Sequence, residues 1–320
     1  MSGEGAERNG VAWNGTTVLI TGAHGFLGGW ISRAVEARGA RTLLRPTRAE
    51  LDLRDVAALR EYLAVHRPDL IIHAAARVGG IGANRKAPGQ FFYDNAVMGI
   101  HLIEEARRLG VKKFVCLGTI CAYPKFTPIP FREEELWNGY PEETNAPYGL
   151  AKKMLLVQIQ AYRQEYGFPG IYLLPVNLYG PGDHFDLENG HVIPVLIRKF
   201  VEAVDRGAEE VVLWGDGSPT REFLYVEDAA EAVVRAAERY DGDEPMNIGH
   251  AEEIRIAELA RIIAEKTGFR GRLVWDTTKP NGQPRRMVDS ARIERAIGWR
   301  ASTPFDVGLE RTIAWYRANR

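Results

Sequence analysis

Cysteine is almost absent from this chain of 320 residues. Cys116 and Cys121 are too few and too close for a disulfide framework, and no Cys or His spacing matches a zinc site, so no metal and a reducing cytoplasm are expected. An excess of one charge is missing too. Forty-one Lys and Arg against forty-two Asp and Glu leave a formal charge of −1, which supplies no field to attract phosphate backbones or anionic lipids, so neither nucleic acid nor membrane is expected as a partner. Long hydrophobic runs are lacking. Leu70 to Ile72 and Ile171 to Val176 are strand-sized, far short of the roughly 18 to 20 apolar residues of a bilayer span. The opening MSGEGAERNG has no basic start followed by an apolar stretch, so residues 1–15 read as a disordered tail rather than a secretory signal. No internal repeat is present. The remaining 45 % hydrophobic and 26 % charged composition is that of an ordinary compact protein, long enough for one large unit or two modest domains.

The run TVLIT from Thr17 to Thr21 is β-branched and apolar, and it leads through glycines into a helical stretch, Leu27 to Arg38. Strands at Arg41 to Leu44 and Asp69 to His73 then alternate with a helix at Asp55 to His66. The alternation continues with a long helix at Pro88 to Leu109, a strand at Lys113 to Leu117, a helix at Asn145 to Tyr166 and a strand at Gly170 to Val176. Such alternation predicts an α/β fold, a doubly wound parallel sheet with helices on both faces. After Asn177 the alternation breaks at GPGDHFDLENGHVIP. Helices are then predicted at Val192 to Asp205, Ala229 to Tyr240 and Ile256 to Thr267, with strands at Val211 to Trp214 and Glu222 to Val226. The expected division is a dinucleotide-binding unit over 16–180 and 223–250 and a smaller α/β substrate unit over 181–222 and 251–320.

Gly22, Gly25 and Gly28 form G-x-x-G-x-x-G between the first strand and the first helix. Missing side chains there let backbone N–H groups and the helix N-terminus approach a pyrophosphate. An acid usually follows at the end of the second strand to hold the ribose hydroxyls of NAD. Here the stretch is LLRPTR, and Arg45 and Arg48 place positive charge where a 2′-phosphate would sit, which favours NADP(H). Asp52 is a candidate partner for the adenine amino group.

Tyr148 and Lys152 stand four apart in a helical segment, so their side chains share a face. A tyrosine acting near neutrality needs its phenolate favoured by about 3 pKa units, roughly 4 kcal/mol, and an adjacent ammonium supplies part of that. Thr119, just past the strand Lys113 to Leu117, is placed to donate a hydrogen bond to the same carbonyl oxygen.

TGAHGFLG, LGTICAYP with Thr119, and the Y-x-x-x-K of Tyr148 and Lys152 together resemble the extended short-chain dehydrogenases/reductases of the nucleotide-sugar epimerase/dehydratase family. AARVGGIGAN, EETNAPYGLAKK, PVNLYGP, HVIP, WGDGSPTREFLYVED and KPNGQPRR extend the resemblance, in order, from about Thr17 to Tyr316. The resemblance is closest to the branch that epimerises a GDP-4-keto-6-deoxy-mannose at C3 and C5 and reduces it at C4 with NADPH, giving GDP-L-fucose.

It implies a Rossmann-type sheet and a homodimer paired through the helices at Pro88 to Leu109 and Asn145 to Tyr166. Thr119, Tyr148 and Lys152 would serve the C4 oxygen. Cys121 and His191 match the positions that exchange protons at C3 and C5, and a thiol of pKa about 8.5 and an imidazole of about 6.5 suit that work. The cofactor would lie along Gly22, Ala23, His24, Gly25, Phe26, Leu27 and Gly28. Arg45, Arg48, Asp52 and Leu53 would meet its adenosine end. Ala75, Leu117, Gly118, Lys152, Pro175, Asn177, Leu178 and His191 would line the rest of its path. Asn177, also on the substrate side, would lie by the nicotinamide, and Lys199, Trp214, Arg221 and Asn281 fall where the nucleotide diphosphate is held.

Other readings of the same residues stay open. Cys121 has the alternative of filling the core beside Cys116. Trp214 has that of a core aromatic, and Arg221 that of a partner for Glu222 or Asp228. Thr119 stands where Ser is commoner in the family, and Asn281 where an acid is usual. A redox-neutral 3,5- or 4-epimerase acting on another nucleotide sugar would use the same groups, and net consumption of NADPH separates it from the reductase. A non-catalytic NADP-binding protein is the alternative from a different class.

Overall fold

A computed structural model describes residues 11–188, 190–279 and 281–320. Its largest sheet has six strands: β1 (Thr17–Thr21), β2 (Thr42–Leu44), β3 (Leu70–His73), β4 (Lys113–Leu117), β5 (Gly170–Pro175) and β9 (Met246–Ile248). They lie in the order β2-β1-β3-β4-β5-β9, and every pairing is parallel. Each residue of β1, β3 and β4 is buried, which is why these strands read as continuous apolar runs and not as alternations. The chain leaves β1 toward β2 on one side and returns to β3 on the other. That reversal opens a crevice beyond the carboxyl ends of β1 and β3, where ligands bind in sheets of this kind.

The helices that cover the sheet are α1 (Phe26–Ala37), α2 (Val56–His66), α4 (Pro88–Leu109), α5 (Ala146–Tyr166) and α7 (Val226–Arg239), with the short α3 (Ile81–Lys86) leading into α4. Helix α1 packs on α7, while α4 packs on α5 and α2. Local chemistry fixes their ends. The Asp55 side chain accepts from the N–H groups of Ala57 and Ala58 to start α2, and Gly110 and Gly167 close α4 and α5 in the left-handed conformation.

A second body of structure holds β6 (Asn177–Tyr179), β7 (Glu210–Trp214), β8 (Thr220–Tyr225), β10 (Glu253–Arg255) and β11 (Arg272–Asp276), with α6 (Val192–Asp205), α8 (Ile256–Thr267), α9 (Ala291–Ile297) and α10 (Phe305–Asn319). The strands form a three-stranded sheet, β10-β8-β6, and a parallel pair, β11-β7. Among the described residues, no helix is long and apolar enough to cross a membrane.

Two differences from the sequence expectations have physical causes. The tail was expected to run through Gly15, but Trp13–Gly15 is a 3-10 turn. Trp13 is buried there and donates to Glu238 at 2.8 Å; residues 1–10 of the expected tail lie outside the described residues. Helix α7 begins at Val226, directly after β8, because Glu227 and Asp228 in its first turn complement the helix N-terminus. Two hydrophobic clusters form the cores: Tyr179, Phe223 and Tyr225 pack in the second, and Val288, Ile293, Ile297 and Trp299 pack in the first.

Candidate active site

Between β1 and α1 the glycines have separate jobs. Gly22 has φ +74°, and a Cβ there would lie 2.7 Å from the Ala75 nitrogen. A Cβ on Gly28 would overlap the Gly22 carbonyl oxygen, so α1 can pack this closely on the turn only with glycine. Gly25 donates to that oxygen at 2.9 Å and begins α1 without a side-chain cap. The first N–H groups of α1 therefore lack a side-chain partner, as a phosphate-binding helix terminus requires. Gly22, His24, Gly25, Phe26, Leu27 and Gly28 line a cleft of about 990 Å³. Ala23 is buried beneath and does not reach it.

At the end of β2 the charges are arranged differently from the expectation. Arg48, Asp52 and Leu53 line the cleft, and Arg45 does not: its guanidinium pairs with Glu36 at 2.7 Å, while its carbonyl meets His24 Nε2 at 2.9 Å. Arg54, which the sequence reading did not single out, lines the cleft and bridges Asp52 at 2.6 Å and Asp94 at 3.2 Å. The hydrogen bond from Arg54 brings the Asp52 carboxyl down to about 2.

From β4 the chain passes through Gly118, against which the Tyr172 ring packs so closely that a Cβ would overlap it. Thr119 then caps a 3-10 turn, Ile120–Ala122, its hydroxyl accepting the Cys121 N–H at 3.2 Å. The first turn of α5 comes down on this turn because Gly149 carries no Cβ to strike the Cys121 carbonyl oxygen. Tyr148 is thereby brought to Thr119. Burial raises the Tyr148 phenol above its usual range, with Cys121 adding to the rise and the Thr119 hydrogen bond opposing it. One turn on, Lys152 is buried, and no ion pair to an acid forms among the described residues. Burial lowers its pKa, with Cys116 acting in the opposite sense. Ala75, Leu117, Gly118, Pro175, Asn177 and Leu178 line the same wall.

The facing wall comes from the second body. His191 precedes α6 as its N-cap; its side chain is exposed toward the cleft, and partial desolvation there, followed by His184, holds its imidazole below the usual value. The Lys199 ammonium donates to the Val212 carbonyl at 2.8 Å. Trp214 is half exposed at 52 %, with the Lys279 ammonium 5.6 Å from its ring centre, so it is not a core aromatic. Asn281 Oδ1 accepts the Asp216 N–H at 3.0 Å.

Arg221 pairs with neither candidate acid. Glu222 turns inward to the N–H groups of Ala251 at 2.7 Å and Val288 at 2.8 Å, and Asp228 accepts from Ser302 and Thr303. Burial and the neighbouring Arg286 bring the Arg221 guanidinium down to about 10. Arg286 is a residue the sequence reading missed. It lines the cleft, and its Nη1 lies 3.4 Å from the Cys121 sulfur.

Thr119, Cys121, Tyr148, Lys152, His191, Asn177, Lys199, Trp214, Arg221 and Asn281 thus border one cleft. Ala23 and Arg45 alone of the expected residues stand outside it. No group of three or more His, Cys, Asp or Glu that could hold a metal ion occurs among the described residues. The arrangement offers hydrogen-bond donors for a developing oxyanion, two further proton carriers on separate elements, and guanidiniums without acids for an anion.

The description of the "NAD dependent epimerase/dehydratase family" matches residues 18–249. A GDP-L-fucose synthase of Arabidopsis thaliana is 42 % identical over 98 % of this chain and 97 % of its own length. The GDP-L-fucose synthase of Escherichia coli K12 is 39 % identical over 95 % of this chain and 97 % of its own. Among solved structures, a GDP-L-fucose synthetase from Naegleria fowleri bound to NADP superposes with a TM-score of 0.86 at 29 % identity, covering 95 % of this chain and 94 % of that one.

Proposed function

This chain belongs to the NAD dependent epimerase/dehydratase family, and from that membership we propose that it converts GDP-4-keto-6-deoxy-mannose to GDP-L-fucose, epimerising C3 and C5 and reducing C4 with NADPH. One observation carries the reading: Thr119, Tyr148 and Lys152 share a single cleft with Cys121 and His191. The first three suit any carbonyl reductase; the other two suit a reaction that also inverts carbons. The full-length relatives named for this synthase support it.

The turn fits a dinucleotide. Gly22 and Gly28 leave the space a Cβ would fill, α1 begins without a side-chain cap, and Arg48 and Arg54 line the cleft beyond β2, Arg48 paired with Asp52 at 3.7 Å and Arg54 with Asp52 and Asp94. When bound, NADPH supplies the hydride that C4 accepts. Hydrogens at C3 and C5 are acidic because each carbon is α to the C4 ketone. Cys121 and His191 exchange protons there, while Thr119 and Tyr148 donate to the enolate oxygen. A tyrosine kept protonated by burial then delivers its proton to the C4 oxygen. The Lys152 ammonium, neutralised by no acid, lowers the cost of the phenolate left behind.

Asn177 borders the reacting ring, and Lys199, Trp214, Arg221 and Asn281 hold the nucleotide diphosphate. The second hydrophobic cluster supports this nucleotide-sugar half of the cleft, as the expected substrate unit would. The chain works in the cytoplasm as a homodimer paired through α4 and α5. These assignments are tested by mixing purified protein, NADPH and GDP-4-keto-6-deoxy-mannose and following the near-ultraviolet absorbance of NADPH. The wild type should consume it and Tyr148→Phe should not. NADPH left untouched by the wild type would overturn the reading in favour of a redox-neutral epimerase.

A further inference from the structure

We propose that Arg286 is a positioning residue for the epimerisation: its guanidinium holds the Cys121 sulfur in the cleft as a thiolate, ready to take a proton from carbon. The inference rests on the epimerase reading above and names the group that prepares its base.

The contact is specific. Arg286 Nη1 lies 3.4 Å from Cys121 Sγ although the two residues are 165 positions apart, a normal separation for an N–H donor and sulfur. The other edge of the guanidinium is anchored, Nε donating to Gln283 Oε1 at 2.7 Å, and Gln283 donates in turn to the Lys125 carbonyl at 2.8 Å. The backbone is fixed as well, since the Arg286 carbonyl accepts the Glu222 N–H at 3.0 Å. Arg286 is 8 % exposed and forms no ion pair with an acid among the described residues. A guanidinium cannot shed its proton, so a buried one calls for an anion.

The charges around the sulfur favour that anion. Arg286 touches it at 3.4 Å and Arg221 acts on it as a second cation, while the Tyr148 phenol beside it is kept neutral by burial. Glu142 acts on both guanidiniums as well, with its carboxylate held by Thr144 and Asn145. A cation in hydrogen-bond contact stabilises thiolate over thiol. Cys116 supplies the internal contrast: it is fully buried, and burial pushes its thiol up to about 11. At each centre the C–H proton passes to Cys121 Sγ and its bonding pair becomes the enolate, so negative charge moves from sulfur to the C4 oxygen. The second carrier protonates the carbon from the other side, and exchange of thiol and carrier with solvent water restores the starting charges.

The test uses the full chain, without substrate for alkylation and with GDP-4-keto-6-deoxy-mannose for exchange. The rate at which iodoacetamide alkylates Cys121, read on its peptide by mass spectrometry, is followed against pH. The midpoint of that profile reports the thiolate. Arg286→Met should raise it by at least about one pH unit, about tenfold in rate near neutrality, and Arg286→Lys should restore most of the difference. Solvent deuterium incorporation at C3 and C5 should fall in step and recover at high pH, with NADPH binding unchanged. Should Arg286→Met fail to fold, Gln283→Ala, which releases the anchor, is read instead for a smaller shift of the same sign. Equal alkylation midpoints in wild type and variant would overturn the proposal. A shifted midpoint in a protein that exchanges neither carbon would instead overturn the epimerase reading.

Discussion

Arg221 and Glu222 are adjacent in sequence but face opposite surroundings. Glu222 is fully buried, accepting three backbone N–H groups from His250, Ala251 and Val288, while Arg221 is left to the cleft with its Nη1 on the Thr220 carbonyl at 2.7 Å. Alternation along β8 sends neighbouring side chains to opposite faces. The inward acid is therefore consumed by backbone, and the outward cation is kept for an anion.

Arg221→Met should accordingly act on substrate binding. Loss of a charge-assisted hydrogen bond to phosphate costs about 1.5–3 kcal/mol, roughly a 10- to 100-fold rise in KM. The rate at saturation should change little, because the guanidinium is assigned to the diphosphate and not to the reacting ring. Steady-state kinetics in the sugar nucleotide decide it; a fall in kcat at constant KM would contradict the assignment.

Gly28→Ala should damage the dinucleotide site from within. The new methyl would overlap the Gly22 carbonyl oxygen, and Gly22 has little room to retreat because the Ala75 backbone fills the space beside it that a Cβ would take. Overpacking of this kind costs about 1–3 kcal/mol and pushes the N-terminus of α1 off the turn. Thermal unfolding should drop by several degrees, and titration with NADPH, followed by its fluorescence, should show binding weakened much further than stability.

How legible this was in the sequence depends on the range of each interaction. Buried parallel strands announce themselves as apolar runs, and Tyr148 with Lys152 follows from one helical turn. Contacts set by distant partners do not. β9 has three residues and owes its place to β5; nothing local marks it. Arg45 looked like a phosphate ligand because its position was known and its neighbour across space, Glu36, was not. Gly149 inside α5 reads locally as a weak helix residue, and its purpose appears only when the Cys121 carbonyl lies against it. Arg286 sits in the recognised segment KPNGQPRR, yet only the fold brings it to Cys121.

Tyr148→Phe should separate the two halves of the reaction. Removing the hydroxyl takes away the proton for the C4 oxygen, and general-acid contributions of this kind are worth about 10²–10⁴ in rate. Thr119 and the Cys121 and His191 proton carriers remain, so deuterium from solvent should still enter C3 and C5, at a reduced rate. Nuclear magnetic resonance of the recovered sugar nucleotide reads the exchange, and NADPH absorbance reads the reduction. Simultaneous loss of both would place Tyr148 in the epimerisation as its principal oxyanion donor.

Asp183 should give the protein a pH-dependent weakness. It lines the cleft but is 8 % exposed; one carboxyl oxygen accepts the His184 N–H at 2.7 Å and the other has no partner. Burial lifts its pKa from 3.8 to about 7 against the opposing pull of that single N–H. The unfolded chain gives up this proton near pH 4 and the folded protein near pH 7. Over that interval the folded state binds more protons, so stability falls as pH rises. Asp183→Asn keeps the shape and removes the titration. The full shift corresponds to about 4 kcal/mol as a ceiling, and water admitted by the cleft should reduce it to about 1–2 kcal/mol. Urea unfolding of the cofactor-free protein at about pH 5 and about pH 8 measures it. The variant should gain on the wild type at the higher pH and lose the advantage at the lower; parallel pH profiles for the two proteins would mean that Asp183 is already ionised in the fold, with its second oxygen served by water.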